Sequence, residues 1–234
     1  MIATIRKSAT ERGITRLCHF TPSRNLVHIA TDPRGVLAST HLTEDDRSVF
    51  NPTDEARHDG YRDHVCCSVQ YPNAWYFRKA RAKDLIFRDW VVLLFKPRYL
   101  WMKGTKFCPR NAAANSGSDV CEGLDTFESL FAPAVRGAYG MTFRRMASHP
   151  IWFPTDDQAE VLIPDRVVRE DVIGVAVIDD SQAKREIARM KQLRKRVPRI
   201  VVAPLFFYPG MLSSALRDGV VPPEREFYSG DDNE

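Results

Sequence analysis

Six stretches of the chain carry short, dense runs of apolar residues, many of them β-branched or aromatic and bounded by Pro, Gly or Asp: Ile14–Phe20, His64–Tyr71, Trp90–Phe95, Glu160–Ile163, Val172–Ile178 and Ile200–Phe207. Runs of this length and make-up predict strands. Helical spacing is rarer. Between Ser181 and Arg196, the residues Ile187, Met190 and Leu193 fall on one stripe, which predicts a helix capped by Ser181 with a basic opposite face. A second helix is expected to start near Ser23, because Asn25-Leu26 and Ile29-Ala30 keep helical spacing until Asp32-Pro33-Arg34-Gly35 ends it. Met102–Phe127, with its Asn111-Ala112-Ala113-Ala114-Asn115-Ser116-Gly117 core, reads as a loop or short-helix insertion. Strands outnumber helices and do not alternate with them, which argues for an irregular α+β domain and against a doubly wound sheet. No repeat or low-complexity segment divides the 234 residues, so one domain over 1–225 is expected, with 226–234 as a flexible tail.

Composition narrows the class. Hydrophobic residues make up 44% and charged residues 27%, as in globular domains and unlike disordered chains. The five cysteines are odd in number and form no C-x-x-C pair, so a reducing cytoplasm is expected rather than secretion. No apolar run reaches the ~18 residues of a membrane helix, so no membrane partner is expected. The net charge of +4 permits a polyanionic partner without demanding one. Lys and Arg gather in Arg78–Arg88, Lys96–Arg110, Arg144-Arg145 and Lys184–Arg199, and such clusters are either solvated surface or a nucleic-acid face.

Familiar phosphate-binding and hydrolase motifs are absent, including G-x-x-x-x-G-K-[ST], G-x-G-x-x-G, G-x-S-x-G and H-E-x-x-H. Cys108, Cys121 and His149 match no zinc-ligand spacing, and no metal is expected. What remains are polar residues at strand ends. His19 and Thr21 are two apart and share one side of a strand as the chain turns into a helix, although both could be structural, with Thr21 or Ser23 capping that helix. Arg57-His58-Asp59-Gly60 leads into the strand that runs to Tyr71-Pro72-Asn73. Glu160 sits at the mouth of the apolar strand Val161-Leu162-Ile163, where it is either a reacting carboxylate or a surface residue.

Taken in order, H-x-T-x-x-x-N-L (His19–Leu26), R-x-D-G (Arg57–Gly60) with a strand ending in Pro72-Asn73, and Q-A-E-V-L-I-P (Gln158–Pro164) resemble the DarT family over roughly residues 14–180. Members of that family are NAD-dependent ADP-ribosyltransferase toxins that modify bases in single-stranded DNA. The resemblance implies an ADP-ribosyltransferase fold with a central split β-sheet and flanking helices, and NAD as co-substrate. It assigns His19 and Thr21 to the ribose and carboxamide of NAD⁺, and Asn25 to the helix start or the cofactor. Arg57 would hold the pyrophosphate and form the catalytic pair with Glu160, with Arg47 its competitor for the pyrophosphate. Glu160 would orient the ribose 2′-hydroxyl and take the proton from the attacking base. Tyr76, within Trp75-Tyr76-Phe77, is the aromatic expected on the nicotinamide, although at least two of these three suit a core.

In such a fold the segment before Glu160 forms the substrate loop. Arg144, Arg145 and Trp152 there combine cations for a backbone with an aromatic for an unpaired base, the recipe for single-strand binding. The competing reading has Ile151-Trp152-Phe153 plugging the core. The resemblance further implies a toxin of a toxin–antitoxin or phage-defence pair, with an antitoxin that includes a macrodomain ADP-ribosyl hydrolase. Thymine-modifying members carry a Pro-Arg-x-Pro-Met-Leu-Tyr run where this chain has Tyr71-Pro72-Asn73-Ala74-Trp75-Tyr76-Phe77, which favours guanine among the DNA bases. RNA is the alternative acceptor. A non-catalytic module using the basic helix and Lys96–Arg110, or a transferase acting on protein side chains, are the rival readings, and salt-dependent binding without NAD⁺ turnover would distinguish the first.

Overall fold

The computed structural model describes residues 2–49, 57–83, 87–137 and 140–228. In chain order the elements are α1 (Ile2–Glu11), β1 (Leu17–Pro22), α2 (Leu26–Thr31), β2 (Val36–Leu37), α3 (Glu44–Val49), β3 (His64–Val69), α4 (Ala74–Lys83), β4 (Trp90–Phe95), β5 (Lys106–Cys108), β6 (Cys121–Glu122) and α5 (Leu124–Ser129). They continue with β7 (Ala134–Arg136), β8 (Thr142–Arg144), β9 (Glu160–Pro164), β10 (Arg166–Val167), β11 (Val172–Val177), α6 (Asp180–Gln192), β12 (Ile200–Val202), α7 (Pro209–Arg217) and β13 (Arg225–Glu226).

The main sheet runs β13-β12-β11-β4-β1-β3-β9-β5-β6. β4, Trp-Val-Val-Leu-Leu-Phe, is buried at every position because it is central and covered on both faces. Its residues divide by the two-residue period of a strand. Val91, Leu93 and Phe95 enter one core with α1, α5 and α6, while Trp90, Val92 and Leu94 enter a second core with α4 and α7. The sheet is nearly two sheets. β1 pairs with β4 along its whole length, but with β3 only at Leu17↔Val69 and Cys18↔Ser68. β3 then continues against β9, from Cys67↔Val161 to His64↔Pro164.

Several expected boundaries move, each for a local reason. The strand expected from Ile14 begins at Leu17, because Gly13 (φ +71°) ends α1 and the Ile14 N–H bonds back to the Ala9 carbonyl at 3.0 Å. The strand expected to reach Phe207 stops at Val202. Pro204 has no N–H for the ladder, and the chain turns into a 3₁₀ segment, Pro204–Phe207. α6 is capped by Asp179, not Ser181, and Gln182 completes the cap by bonding its N–H to Asp179 Oδ1 and accepting the Ile178 N–H. Helices α1, α4 and α7 were not anticipated, being short with few buried positions among the described side chains, such as Leu212 and Leu216 of α7. β13 and Phe227 dock beside β12, with the Phe227 N–H on the Ile200 carbonyl at 3.0 Å, so the chain stays packed past 226, and residues 229–234 lie outside the described residues. No described helix is long and apolar enough to cross a membrane.

Phe127 is fully buried between Phe107 and Phe131, with ring centroids 5.3 and 5.5 Å away. Phe127→Ala should cost about 3–5 kcal/mol, read as a lower denaturant midpoint at unchanged slope. A loss below about 1 kcal/mol would mean that this stack does not brace the β5–β9 half.

Candidate active site

Past Cys18 the divergence of β1 from β3 opens a cavity. Its walls come from β1 and the turn after it, from residues 35–42, from β3, from the start of α4, and from Asn111, Ala113 and Glu160. The gap is bridged at one point. His19 Nδ1 lies 2.8 Å from the Cys66 carbonyl oxygen and donates to it, which leaves Nε2 as the ring nitrogen for a ligand. Burial holds the imidazole pKa below its ordinary value, against the pull of the Cys66 carbonyl, and the Arg57 charge adds to the drop.

Glu160 opens β9 opposite Cys108 and is 9% exposed. Its Oε1 accepts from Asn111 Nδ2 at 2.8 Å. Arg57, equally buried, makes an ion pair with Asp59 (Nη2 to Oδ2, 2.9 Å; Nε to Oδ1, 3.0 Å) and donates to the carbonyls of His64 (2.7 Å) and Tyr61. Asp59, Glu160 and Arg57 all act on the Cys66 thiol. Burial first, then the Glu160 charge, push that thiol far above its usual range, and Arg57 only partly offsets them. Asp59, Cys66 and Glu160 also bring three potential metal-ligating atoms within 4.8 Å of one another. Within that group Asp59 is already paired with the Arg57 guanidinium.

The other residues anticipated from the motifs fall into three groups. Thr21 and Asn25 line the cavity, buried and joined by Asn25 Nδ2 to Thr21 Oγ1 at 2.9 Å; neither Thr21 nor Ser23 caps the following helix. Tyr76 also lines it, 5.9 Å from Phe20, whereas Phe77 is wholly in the core and Trp75 is at the surface. Arg47 is exposed on α3 and donates to the Ser39 carbonyl at 2.6 Å, and Ser39 is on the cavity rim.

The segment before Glu160 is arranged differently from the expectation. Arg144 is exposed, but Arg145 is spent inside the segment, donating to the carbonyls of Phe153 (2.8 Å) and Pro150 and to Thr155 Oγ1. Trp152 packs on Tyr71 and Phe153, at 5.5 and 6.3 Å, and touches both cores. In this structure both are therefore struts, while Ile151 between them is exposed. Four of the five cations in segment 96–110 are likewise paired, Lys96 and Arg98 with Asp171, Lys106 with Glu122 and Arg110 with Asp119, while Lys103 is exposed. The Cys108, Cys121 and His149 grouping is not assembled; Cys121 is exposed, and His149 Nε2 bonds the Pro154 carbonyl at 3.0 Å.

Sequence reasoning missed Asp59, Cys66, Asn73 and Asn111. Asp59 and Asn73 stand inside quoted motifs and could have been singled out as buried polar residues. Asn111 lies in an insertion without a pattern, and no sequence signal points to it.

A family model described as "ssDNA thymidine ADP-ribosyltransferase, DarT" matches residues 18–208. Among solved structures, Thermus sp. 2.9 DarT in complex with NAD⁺ is 18% identical with a TM-score of 0.55, covering 83% of this chain and 98% of that one. Thermus sp. 2.9 DarT in complex with ADP-ribosylated ssDNA is 15% identical with a TM-score of 0.56, covering 84% and 97%. Thermosipho africanus DarTG in complex with ADP-ribose is 12% identical with a TM-score of 0.55, covering 83% of this chain and 51% of that one, so this chain spans about half its length. At these identities the likeness is one of fold. No curated protein sequence gives a significant match.

Asp156, two residues from Gln158 in the run-up to Glu160, is buried, and burial raises its carboxyl to about 6 despite the Gln158 N–H on Oδ1. A carboxyl raised in the folded state is harmless below its unfolded value near 4 and costs stability progressively as pH rises through about 6. Asp156→Asn should thus match the parent at pH 3.5 and exceed it by about 3 kcal/mol above pH 7, read by denaturation at each pH. A gain independent of pH would rule out this origin.

Proposed function

The chain belongs to the DarT family of ADP-ribosyltransferases, and from that premise we propose that it cleaves NAD⁺ in the β1–β3 cavity and joins ADP-ribose to a base of single-stranded DNA. The observation that supports this most is Glu160, a carboxylate at the mouth of a strand, held by Asn111 and facing a partly closed cavity with His19, Thr21 and Tyr76 on its walls. Breaking the nicotinamide–ribose bond builds positive charge on the ribose, and a fixed carboxylate beside it favours that state more than the ground state. The attacking base atom forms the new bond to the ribose carbon as nicotinamide departs with the bond's electron pair. Glu160 takes the proton released from the base.

His19 Nε2 and Thr21 meet the ribose or the carboxamide, Asn25 stands behind Thr21, and Tyr76 offers a ring face. For the pyrophosphate the assignment passes from Arg57 to Arg47. The Arg57 guanidinium is engaged with Asp59 and two carbonyls, where it shapes the wall beside Glu160, whereas Arg47 is exposed at the rim where charged phosphates would emerge. Of the expected strand-binding residues, Arg144 remains the exposed contact, with Arg145 and Trp152 holding the segment that presents it.

The family description favours thymidine as acceptor. The departure at Tyr71–Phe77 is the observation that favours guanine, and it keeps guanine as the second reading. We assign the protein to the toxin side of a toxin–antitoxin or defence pair, opposed by a macrodomain hydrolase, in keeping with its likeness to a DarTG protein.

Incubation with NAD⁺ and oligonucleotides carrying a single thymine or a single guanine, as DNA and as RNA, should add the ADP-ribose mass to one DNA only. Glu160→Gln keeps the Asn111 contact and should lower transfer by ~10²–10⁴ with the melting point unchanged. Transfer at the parent rate would remove Glu160 from the chemistry, and modification of RNA alone would overturn the DNA reading.

The two arginines separate by readout. Arg47→Ala should weaken NAD⁺ binding by about 1.5–3 kcal/mol in calorimetry and leave stability alone. Arg57→Ala leaves Asp59 buried without its cation and should cost about 3–5 kcal/mol of stability. An Arg57→Ala protein as stable as the parent but unable to bind NAD⁺ would return the pyrophosphate to Arg57.

A further inference from the structure

Asn73 is 4% exposed and lines the cavity between Ser68 and Tyr76. Two hydrogen bonds fix it. Its N–H donates to Ser68 Oγ at 3.1 Å, and its Oδ1 accepts the Tyr76 N–H at 3.0 Å, capping α4. The cap also settles which way the amide faces, since turning it over would oppose two donors. Nδ2 is therefore a true donor, and it is buried with no partner. A second orphan lies in the same cavity: Asn25 shares one hydrogen bond with Thr21 Oγ1, and the other polar atom of its amide is buried without a partner. Buried polar groups are nearly always paired, so unpaired amide atoms on two residues that line one cavity call for a ligand.

The chemistry of that ligand follows from the walls. It must offer an acceptor to Asn73, and it needs no negative charge, because the nearby cation, Arg57, is tied to Asp59 and the Glu160 carboxylate lines the same cavity. Rings of Phe20, Tyr76 and His19 flank the space. The cavity is about 170 Å³, and an engineered cavity of ~150 Å³ takes up benzene, so it suits one ring. A neutral aromatic carboxamide meets every requirement.

Resting on the NAD⁺ reading above, we propose that Asn73 binds the leaving group: its Nδ2 donates to the carboxamide oxygen of nicotinamide. Asn73 thereby selects the amide and holds the ring in line for departure.

Asn73→Asp is the sharpest test, since it keeps the shape and the α4 cap but replaces the donor with an acceptor oxygen. Free nicotinamide reports this subsite alone, and ADP-ribose reports the rest of the site. The inhibition constant of nicotinamide against NAD⁺ cleavage should rise tenfold or more, with ADP-ribose affinity within twofold of the parent. Asn73→Ser, which can still cap α4 through its hydroxyl but cannot reach the ring amide, should move nicotinamide in the same direction and guards against a folding defect in the first variant. Unchanged nicotinamide inhibition in both folded variants would overturn the assignment, as would weakened ADP-ribose binding with nicotinamide unaffected, which would place an adenine or ribose there. A parent protein that binds neither ligand would overturn the NAD⁺ reading itself and this assignment with it.

Discussion

The separation of β1 from β3 after two residue pairs is the constraint on which the site depends. Had the pairing continued past Cys18↔Ser68, backbone would have filled the space that His19, Thr21 and Tyr76 now line. Leaving a ladder unmade inside a protein exposes backbone groups that must be satisfied otherwise. Here the Cys66 carbonyl is met by His19 Nδ1, so the side chain that replaces the missing ladder bond is also oriented by it. Both halves of the sheet remain anchored elsewhere. β1 keeps its full register with β4, and β3 keeps four pairs with β9, so the gap is a rigid feature of two well-packed layers.

Electrostatics at the cavity wall is organised around one ion pair. Arg57 and Asp59 are both buried, and breaking such a pair strands a charge in a poorly solvating place. With the guanidinium also on two carbonyls, the turn 57–64 is held next to Glu160. The insertion at 111–117 closes the same wall from outside. Gly117 has φ +81°, and a Cβ there would come within 2.2 Å of the Asp59 carbonyl oxygen, so only glycine lets the insertion lie this close. At its other end Asn111 holds Glu160. A segment with no recognisable pattern thus connects the two acidic residues of the site.

Charge was the least legible property in one dimension. The cations of 96–110 and the arginine at 145 look like a nucleic-acid face when counted along the chain. In space Asp171 takes Lys96 and Arg98 from more than 70 residues away, and Arg145 turns inward to carbonyls. Pairing of this kind depends on which acids the fold brings near, and local sequence does not record it.

The sequence by itself determined the central strands, the order of the motifs and the polar residues at strand ends. A continuous apolar run such as Trp90–Phe95 has few solutions besides a strand covered on both faces, and a carboxylate set against Val161-Leu162-Ile163 is out of place unless something uses it. Cooperative, long-range choices were left to the tertiary structure. It decided that β1 and β3 part, that α1, α4 and α7 form on the strength of a few buried contacts, and that Trp152 is a strut. It also decided that Asn73 and Asn25 face one cavity with unmet hydrogen bonds. In each case the energy comes from groups far apart in sequence, through burial or pairing that exists only once the chain has closed on itself.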